Sequence, residues 1–493
     1  MSDYSLNEAE KKRKELVLYL RSIGINPFGE KFLTKYTNRE LKEKFDKLQG
    51  KEVEAKGRIM VIRGHGKASF VVVRDFSSDI QLYFRFDNLG EEKYNFFKKA
   101  IDVGDFIGVR GPLFKTHTGE ITVSVKEFVL LSKAIRLLPE KWHGVKDPEL
   151  RYRKRYLDLI SNRDVMELFV KRSKIIDAIR TFLKNKGFLE VETPMLQPVA
   201  GGAVAKPFVT HYNALDQDMY LRIAPELYLK RLIIGGFEKI FELNRNFRNE
   251  GISTKHNPEF TMMEVYWAYA DYKEMMNLTE ELICTTAKEV VKKETIQFKG
   301  DEINLKPPFK RISFKEAFKK YVGIDVEKLK DPKISEEILR KLDIKMDKAK
   351  TFGNVVNEIF DKKVEINFIQ PTFVYDYPIE ISPLAKRSRT DPHTVERFEL
   401  FIGGMELANA FSELNDPIDQ YERFKEQAEA RSSGEEETHV MDMDYVEAME
   451  YGLPPTGGLG IGIDRLIMLL MNKESIREVI LFPQLKNIDE EKK

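Results

Sequence analysis

Cysteine is nearly absent from this sequence: Cys284 is the single one among 493 residues. One cysteine excludes an intramolecular disulfide and any cysteine-rich zinc site, so we expect a reducing compartment. The sequence also has no uninterrupted apolar run of membrane-spanning length, and its first residues contain no apolar signal-peptide core. We therefore expect a cytoplasmic protein with no membrane partner.

Net charge is also nearly absent, because 81 Lys and Arg are balanced by 80 Asp and Glu. No global field therefore attracts a polyanion. Residues 1–140 nevertheless hold 26 Lys and Arg against 20 Asp and Glu, a weak excess that suits a module touching RNA. The length of the chain predicts two or more domains.

Residues 1–50 are predicted to form a helical extension, since residues 7–23 place apolar side chains among charged ones at helical spacing. The basic run at 11–14 is better explained as a solvated helix face than as an RNA contact. Residues 51–137 change to period-two alternation and predict a β-barrel with one helix at 91–100. Its five strands are predicted at 53–62, 68–74, 80–86, 106–114 and 121–131.

Five strands with one helix after the third are typical of an OB fold, whose open face commonly binds single-stranded nucleic acid. Aromatic side chains on that face are candidates to stack on bases and basic ones to meet phosphates, although strand alternation requires some of the aromatics to be core. The aromatic candidates are Phe70, Tyr83 and Phe84, and the basic ones are Arg63, Lys67 and Arg85.

Proline and glycine mark residues 138–160 as a linker. Its basic and aromatic cluster at 151–156 either touches RNA or simply joins two domains. The apolar spacing of residues 165–185 predicts a long amphipathic helix, followed by a short strand. Lys- and Glu-rich residues from about 291 to 372 are predicted to be a helical insertion. Further strands are predicted at 366–373 and 397–413.

The most informative stretch is a predicted hairpin, with strands at 239–244 and 260–266 and a turn at 249–258. Its loop presents Arg248, Glu250 and His256 beside Phe260. Arginine offers a planar fork that matches phosphate oxygens, and phenylalanine offers a stacking face, so this loop suits a triphosphate and an adenine. Composition alone would favour an ordinary surface hairpin.

Residues 245–250 read Arg-Asn-Phe-Arg-Asn-Glu, and residues 256–260 read His-Asn-Pro-Glu-Phe. This stretch resembles motif 2 of the class II aminoacyl-tRNA synthetases, in the form of the lysyl branch. Residues 188–196 resemble motif 1, and the Gly-rich residues 457–465 resemble motif 3. Segments of the predicted barrel resemble the anticodon-binding domain of the same branch, at 66–70, 80–83 and 118–120.

The resemblance implies an α+β protein. Its N-terminal five-stranded OB-fold barrel would bind the anticodon, and its class II catalytic domain, at 161–493, would be an antiparallel β-sheet flanked by helices. The activity implied has two steps: L-lysine and ATP give lysyl-adenylate and pyrophosphate, and the lysyl group is then transferred to the 3′ end of tRNA(Lys). The resemblance also implies a homodimer, in which the helix and strand of motif 1 form the interface. Periodicity alone leaves open that this helix packs only in its own core.

The same resemblance implies roles for individual residues of the ATP site. Arg248 would bridge the α-phosphate and the lysine carboxylate, and with Arg465 it would form the catalytic pair. Mg²⁺ would bind with ATP at two glutamates, which supply the hard oxygen donors that this ion prefers. The two glutamates are seven residues apart, and Gly403-Gly404 between them would supply a bulge or a turn that realigns them. The implied ATP-site residues are Arg248, Glu250, His256, Asn257, Phe260 and Arg465, and the implied metal ligands are Glu399 and Glu406.

A lysine substrate enters as a dication, so its pocket needs more acids than bases. The resemblance implies that Glu226 and the backbone of Gly202 hold the α-amino group, and that Glu413 and Tyr266 hold the ε-ammonium. The remaining implied contacts are Glu264 in the same pocket, Asn409 at the carboxylate and Phe411 along the alkyl stem. In the barrel, the resemblance implies that Phe70 stacks on an anticodon base and that Gln81 and Glu120 read base edges.

Two other functions are compatible with the same motifs. One is a binding protein that kept the fold and lost the activity, and the other is a ligase that attaches lysine to a protein. The presence of Arg248, Arg465 and both glutamates argues against the first, and the full barrel argues against the second. The sequence departs from some relatives at Ala408 and Ala410, which replace glycines, and at Trp267. These changes put the fine shape of the pocket in doubt.

Overall fold

The computed structural model describes residues 6–139, 147–346, 350–432 and 441–486. The chain divides into two compact units, Met1–Val145 and Lys146–Lys493. Within the described ranges, no helix combines the length and the apolar character that crossing a membrane requires.

The first unit is a small barrel preceded by three helices. Its strands form a closed ring in the order β1-β2-β3-β5-β4, closed by pairing of β1 with β4, and β6 extends β4 at one edge. The elements are α1 (Glu8–Ser22), α2 (Asn38–Glu43), α3 (Phe45–Leu48), β1 (Glu52–His65), β2 (Ala68–Arg74), β3 (Asp79–Arg85), α4 (Phe86–Ala100), β4 (Phe106–Lys115), β5 (Ile121–Ser124) and β6 (Glu127–Ser132).

This architecture confirms the predicted OB barrel, with one difference: the fifth predicted strand is two strands, β5 and β6, separated at residues 125 and 126. Alternating side chains of β2 and β3 are buried, as the period-two pattern requires. Phe84 is fully buried in the barrel core and is therefore not available to stack on a base. The N-terminal helices contribute Leu20, Leu41 and Leu48 to the same core, so they are part of the barrel unit.

The second unit begins with helices where a linker was predicted. Residues 140–146 of that predicted linker lie outside the described residues, but residues 148–161 form two helices. Arg155 is buried there, pairs with Asp158 at 2.8 Å and donates to the carbonyl oxygens of Leu481 and Ile480. Arg155 therefore ties these helices to the C-terminal segment, and it is not an exposed RNA contact.

An eight-stranded mixed sheet forms the centre of the second unit, in the order β15-β16-β17-β18-β19-β12-β11-β7. Six strands are antiparallel to their neighbours as predicted, whereas the outermost strands β15 and β7 pair in parallel. The elements before residue 290 are α5 (Pro148–Arg153), α6 (Arg155–Ser161), α7 (Arg163–Asn185), β7 (Leu189–Glu190), β8 (Leu196–Gln197), β9 (Phe208–Tyr212), β10 (Gln217–Leu221), α8 (Glu226–Ile234), β11 (Lys239–Phe247), β12 (Glu259–Ala268) and α9 (Tyr272–Thr286).

The segment predicted as a helical insertion is only partly helical. It contains a two-stranded hairpin and the edge strand β15, because residues 295–298 and 301–304 pair with each other and residues 310–313 join the central sheet. The predicted strand at 366–373 begins only at Thr372. The elements are β13 (Thr295–Phe298), β14 (Asp301–Asn304), β15 (Lys310–Ser313), α10 (Phe314–Val322), α11 (Pro332–Lys341), α12 (Phe352–Ile359) and β16 (Thr372–Pro378).

The C-terminal part completes the sheet and covers one of its faces. The predicted strand at 397–413 is a hairpin of two strands. The elements are β17 (Thr394–Phe401), β18 (Glu406–Ser412), α13 (Pro417–Ser432), α14 (Met443–Glu450), β19 (Thr456–Gly462), α15 (Ile463–Leu470) and α16 (Ile476–Val479).

Strand alternation divides the central sheet into a core face and an open face. Apolar residues on one face pack against α7, α9 and α15 in the main core, for example Met263 and Val265 of β12 and Leu459 and Ile461 of β19. The residues between them carry the predicted site. Ala408 and Ala410 belong to the core face, so these departures from glycine do not line the pocket.

Candidate active site

The hairpin of β11 and β12 forms one wall of the site. Its strands pair in register up to Phe247 and Glu259, and the Arg248 N–H donates to the Pro258 carbonyl oxygen at 2.9 Å, closing the base of the loop. The Arg248 guanidinium lies 5.2 Å from the centre of the Phe260 ring. Burial of this guanidinium lowers the pKa of Arg248. The hairpin therefore holds a half-buried cation beside an aromatic ring, an arrangement that suits a nucleotide.

Arg465 joins the glycine-rich strand to this hairpin. It is the third residue of α15. Its guanidinium donates to Glu406 Oε2 at 3.0 Å and to the Glu406 carbonyl oxygen at 2.9 Å. Its Nη2 lies 3.1 Å from Nε2 of His256, whose Nδ1 lies 2.8 Å from the Ser253 hydroxyl. Burial, and then the charge of Arg465, lower the pKa of His256. Both effects favour the neutral imidazole.

The two predicted metal ligands lie on a tight hairpin. Gly403 and Gly404 both have positive φ, 62° and 65°, and the Ile402 N–H donates to the Met405 carbonyl oxygen at 3.0 Å. Two successive positive φ angles define a type I′ turn, which glycine adopts without strain. A register shift beside the turn pairs Phe401 with Glu406. The turn and the shift bring Glu406 near Glu399.

The environments of the two glutamates differ. Glu399 accepts from the Tyr377 hydroxyl at 2.8 Å and from Arg397 at 2.5 Å. Burial raises the pKa of Glu399 to about 6, the charge of Arg397 opposes this shift, and the charge of Glu406 adds to it. Burial also acts to raise the pKa of Glu406, but the pairing with Arg465 and the charges of Arg397 and Arg248 together outweigh it and lower the pKa.

Three further acids meet at the other end of the site. Glu226 starts α8, Glu264 lies on β12 and Glu413 follows β18, and all three are buried. Lys230 lies between two of them: its Nζ is 2.6 Å from Glu226 Oε1 and also contacts Glu413 Oε2. Burial, and then the charge of Glu226, raise the pKa of Glu264 to about 8. Its carboxyl accepts from the Tyr266 hydroxyl at 3.1 Å.

Gly458 leaves open the space between these acids. It pairs with Phe411 on one side and with Tyr266 on the other. A Cβ atom at this position would stand 1.7 Å from Glu413 Oε1 and 3.0 Å from the Tyr266 ring. Glu413 Oε1 is itself buried without a hydrogen-bond partner in the described part of the chain. A buried carboxylate oxygen without a donor favours a cationic ligand.

All residues predicted for catalysis, ATP, lysine and metal line one cavity of about 1080 Å³. They are Gly202, Glu226, Arg248, Glu250, His256, Asn257, Phe260, Glu264, Tyr266, Glu399, Glu406, Asn409, Phe411, Glu413 and Arg465. One end of the cavity, the basic end, contains Arg248, His256 and Arg465. The other end, the acidic end, contains Glu226, Glu264 and Glu413.

The anticodon candidates are in the first unit and form a separate surface. Phe70 and Tyr83 face each other on β2 and β3, with ring centres 4.7 Å apart. Gln81 lies on the same strand face as Tyr83, and its amide donates to the Thr122 hydroxyl at 2.9 Å. Glu120 precedes β5 and lies 3.5 Å from Lys42. A half-buried aromatic pair with polar neighbours suits base stacking.

Sequence reasoning missed two charged residues of the site: Arg397, which lines the cavity, and Lys230, which contacts Glu226 and Glu413. Arg397 donates to Asn409 Oδ1 at 3.1 Å as well as to Glu399, so it connects the two ends of the site. Its position two residues before Glu399 on a predicted strand was an available signal, because strand alternation places both on one face. Lys230 was missed although it follows Glu226 by one helical turn.

A third residue that the sequence did not reveal, Asp464, positions Arg465. Asp464 accepts from the Thr261 N–H at 2.7 Å and pairs with Arg172 of α7 at 2.6 Å. It therefore holds the start of α15, and with it Arg465, against β12 and α7. No sequence pattern indicated this partner, because Arg172 is distant along the chain.

Comparison with known proteins agrees with this geometry. The family model of class II tRNA synthetases (D, K and N) matches residues 147–486, and the model of the OB-fold nucleic acid binding domain matches residues 53–131. The chain is 55% identical to the lysine–tRNA ligase of Carboxydothermus hydrogenoformans, covering 99% of this chain and 100% of the relative. Those of Pelotomaculum thermopropionicum and Thermotoga maritima are 56% and 52% identical, over 98% of this chain and 95% and 96% of their own lengths.

An OB barrel and a class II catalytic sheet with its three motifs define an aminoacyl-tRNA synthetase of class II. The similarity to named relatives extends over nearly the whole length of each chain. Within that class, the chain belongs to the lysine–tRNA ligase family, as the motif resemblance predicted.

Proposed function

We propose that this chain activates L-lysine with ATP and transfers the lysyl group to tRNA(Lys). The observation that supports this most is that one cavity contains both an acidic end and a basic end, the latter with Arg248, His256 and Arg465. Lysine carries two ammonium groups and one carboxylate, so an excess of acids matches it, whereas aspartate would need cations at its side-chain end.

The first chemical step needs no nucleophile from the protein, because the lysine carboxylate attacks the α-phosphate and pyrophosphate leaves. Catalysis therefore depends on positioning and on stabilising charge. Arg248 neutralises the oxygens of the α-phosphate and orients the carboxylate. Arg465 and His256 contact the outer phosphates, and Phe260 stacks on the adenine, with Glu250 and Asn257 at its edge.

In the second step the terminal ribose hydroxyl of the tRNA attacks the carbonyl carbon of the adenylate. AMP is the leaving group, and Arg248 stays beside its phosphate.

The residues at the type I′ turn fit Mg²⁺. Within the described part of the chain, no group of three or more His, Cys, Asp and Glu side chains is arranged to hold a metal by itself. Mg²⁺ is usually held by one or two carboxylates together with substrate phosphates and water, and Glu399 and Glu406 provide such a pair. When bound with ATP, the ion neutralises charge on the phosphates.

Lysine recognition uses the opposite end of the cavity. Glu226 and the backbone of Gly202 receive the α-ammonium, and Glu413 and Tyr266 receive the ε-ammonium beside Glu264. Phe411 covers the alkyl stem, and Asn409, held by Arg397, contacts the carboxylate. The unpartnered Oε1 of Glu413 supports this assignment.

On the barrel, Phe70 stacks on an anticodon base, and Gln81 and Glu120 read base edges. The domains are an OB-fold anticodon-binding domain, including the N-terminal helices, and a class II catalytic domain. Large apolar side chains near motif 1 are exposed, which supports a homodimer: Leu189, Leu196, Val209 and Leu215. The single buried thiol suits the cytoplasm.

Exchange of labelled pyrophosphate into ATP, measured with each amino acid in turn, tests the proposed function. Lysine should support exchange, and aspartate and asparagine should not. Transfer of labelled lysine to tRNA should follow. Exchange with aspartate or asparagine and none with lysine would overturn the substrate assignment.

A further inference from the structure

A lysine of the protein contacts two acids of the proposed lysine pocket. Lys230 lies one helical turn after Glu226 on α8 and is completely buried. Its Nζ is 2.6 Å from Glu226 Oε1 and contacts Oε2 of Glu413, a residue that comes from the end of β18. One ammonium therefore links the two carboxylates that are proposed to receive the two ends of the substrate.

Isolated buried charges are strongly unfavourable, so buried carboxylates normally need a cation or a proton. Burial raises the pKa of Glu413 well above its usual value, and the charge of Lys230 acts in the opposite direction. When both carboxylates are ionised, Glu226, Glu413 and Lys230 together carry a net charge of −1, so this end of the pocket attracts a cationic group.

The contacts leave part of Glu413 for the substrate. Lys230 contacts Oε2, whereas Oε1 is buried next to Gly458 without a hydrogen-bond partner in the described residues. The Lys230 ammonium also lies 5.6 Å from the ring of Phe411 and 5.9 Å from that of Tyr445. Lys230 therefore contacts Glu413 and lies beside the Phe411 ring, although it is not itself among the residues that line the cavity.

The shared ammonium limits the distance between the two carboxylates. Two oxygens within hydrogen-bond reach of one nitrogen are no more than roughly 6 Å apart. A fully extended lysine separates its α- and ε-nitrogens by roughly 7.5 Å, from standard bond lengths. In a substrate one methylene shorter the two nitrogens are about 1.3 Å closer together, so it fits a fixed pair of carboxylates less well.

We propose that Lys230 is a positioning residue that sets the spacing and the charge of Glu226 and Glu413, and so makes the pocket selective for a diamine of the length of lysine. This inference rests on the proposed function and deepens it. A purely structural ion pair within a helix would stabilise α8 without affecting substrate choice.

Lys230→Met tests the inference, because methionine keeps most of the side-chain volume and removes the charge. Pyrophosphate exchange is measured with lysine, ornithine and ATP as the varied substrates. We expect the KM for lysine to rise about tenfold or more and the preference for lysine over ornithine to fall about fivefold or more, since one methylene is worth about 10- to 200-fold in a well-fitted pocket. The KM for ATP and kcat should change by less than about threefold.

Lys133→Met is the matched control. Lys133 is also completely buried and also held by two carboxylates, 2.8 Å from Asp105 and 2.5 Å from Asp102, but it lies in the barrel unit. Thermal melting of both variants measures the general cost of losing a buried lysine. Lys133→Met should leave the KM for lysine and the preference over ornithine unchanged.

Folded Lys230→Met with an unchanged KM for lysine and an unchanged preference over ornithine would overturn the inference. If this variant does not fold, Lys230→Gln, which keeps a hydrogen-bond donor, is measured instead with the same expectations. Failure of both to fold would show that Lys230 is structural, and the inference would be wrong. Absence of lysine-dependent exchange in the unmodified enzyme would instead contradict the proposed function.

Discussion

Replacing Gly458 by alanine should close the far end of the pocket. The added Cβ would stand 1.7 Å from Glu413 Oε1 and 3.0 Å from the Tyr266 ring. Neither distance is compatible with ordinary van der Waals contact, so the Glu413 carboxylate must rotate away or the strand must move. Because β19 is paired on both sides, with β18 and with β12, the side chain is the part free to move.

Rotation of Glu413 would remove the charge-assisted hydrogen bond that we propose it makes to the ε-ammonium. Such a bond contributes about 1.5–3 kcal/mol, which corresponds to a rise of about 10- to 150-fold in the KM for lysine. The KM for ATP should change little, since Gly458 is at the acidic end. Pyrophosphate exchange with lysine and ATP varied separately measures both quantities.

Gly462→Ala is the matched control on the same strand. A Cβ there would meet Arg465 side-chain atoms at 3.6 Å or more, which is ordinary contact, and the KM for lysine should stay close to that of the unmodified enzyme. If Gly458→Ala folds and binds lysine as well as this control does, the ε-ammonium is not held at Glu413, and the reasoning fails.

Three other perturbations address the remaining parts of the account. The pKa of Glu264 is raised to about 8 in the folded protein, whereas its value in the unfolded chain is about 4.3. The folded protein therefore loses stability, relative to Glu264→Gln, as the pH rises from about 4.3 to about 8. Chemical unfolding without substrate should show that Glu264→Gln has a free energy of unfolding ~2–4 kcal/mol higher than the unmodified enzyme at about pH 8.5, and that the difference vanishes near pH 4.5. A difference that does not depend on pH would refute the raised pKa of Glu264. Phe70→Ala should raise the KM for tRNA about 5- to 150-fold in aminoacylation, the range for loss of one stacked base, with pyrophosphate exchange unchanged. Phe76→Ala, at the other end of the same hairpin, is its control, and equal effects of the two would refute base stacking at Phe70. Glu406→Gln should shift the Mg²⁺ dependence of exchange to concentrations about tenfold higher or more, as expected for loss of a carboxylate ligand, and an unchanged Mg²⁺ titration would contradict the metal assignment.

The sequence predicted most of the elements that carry the site, because local patterns determine them. The strands at 239–247 and 259–268, the long helix ending at Asn185 and four of the five barrel strands follow hydrophobic alternation and periodicity closely. Gly403-Gly404 was recognised as a turn or bulge because two glycines permit successive positive φ angles. Fifteen residues that the motifs singled out line one cavity.

Long-range packing determined what the sequence did not predict. The helices at 148–161 resembled a linker because their buried contacts, such as Arg155 with the carbonyl oxygens of Leu481 and Ile480, are distant in sequence. The edge strand β15 was missed because its four residues join the sheet only through parallel pairing with β16. Lys230 was missed because its second carboxylate, Glu413, is almost two hundred residues away. Phe84 was placed on the open face although strand alternation puts it in the core.

In the proposed complex, one lysine molecule spans from Glu226 to Glu413, next to a nucleotide held by Arg248. A crystal structure of the enzyme with lysine and a non-hydrolysable ATP analogue would show this arrangement. We expect the ε-nitrogen about 2.7–3.1 Å from Glu413 Oε1, the α-nitrogen at Glu226 and the carboxylate facing Arg248. Lysine bound in the reverse orientation, or with its ε-nitrogen at Glu399 and Glu406, would contradict it.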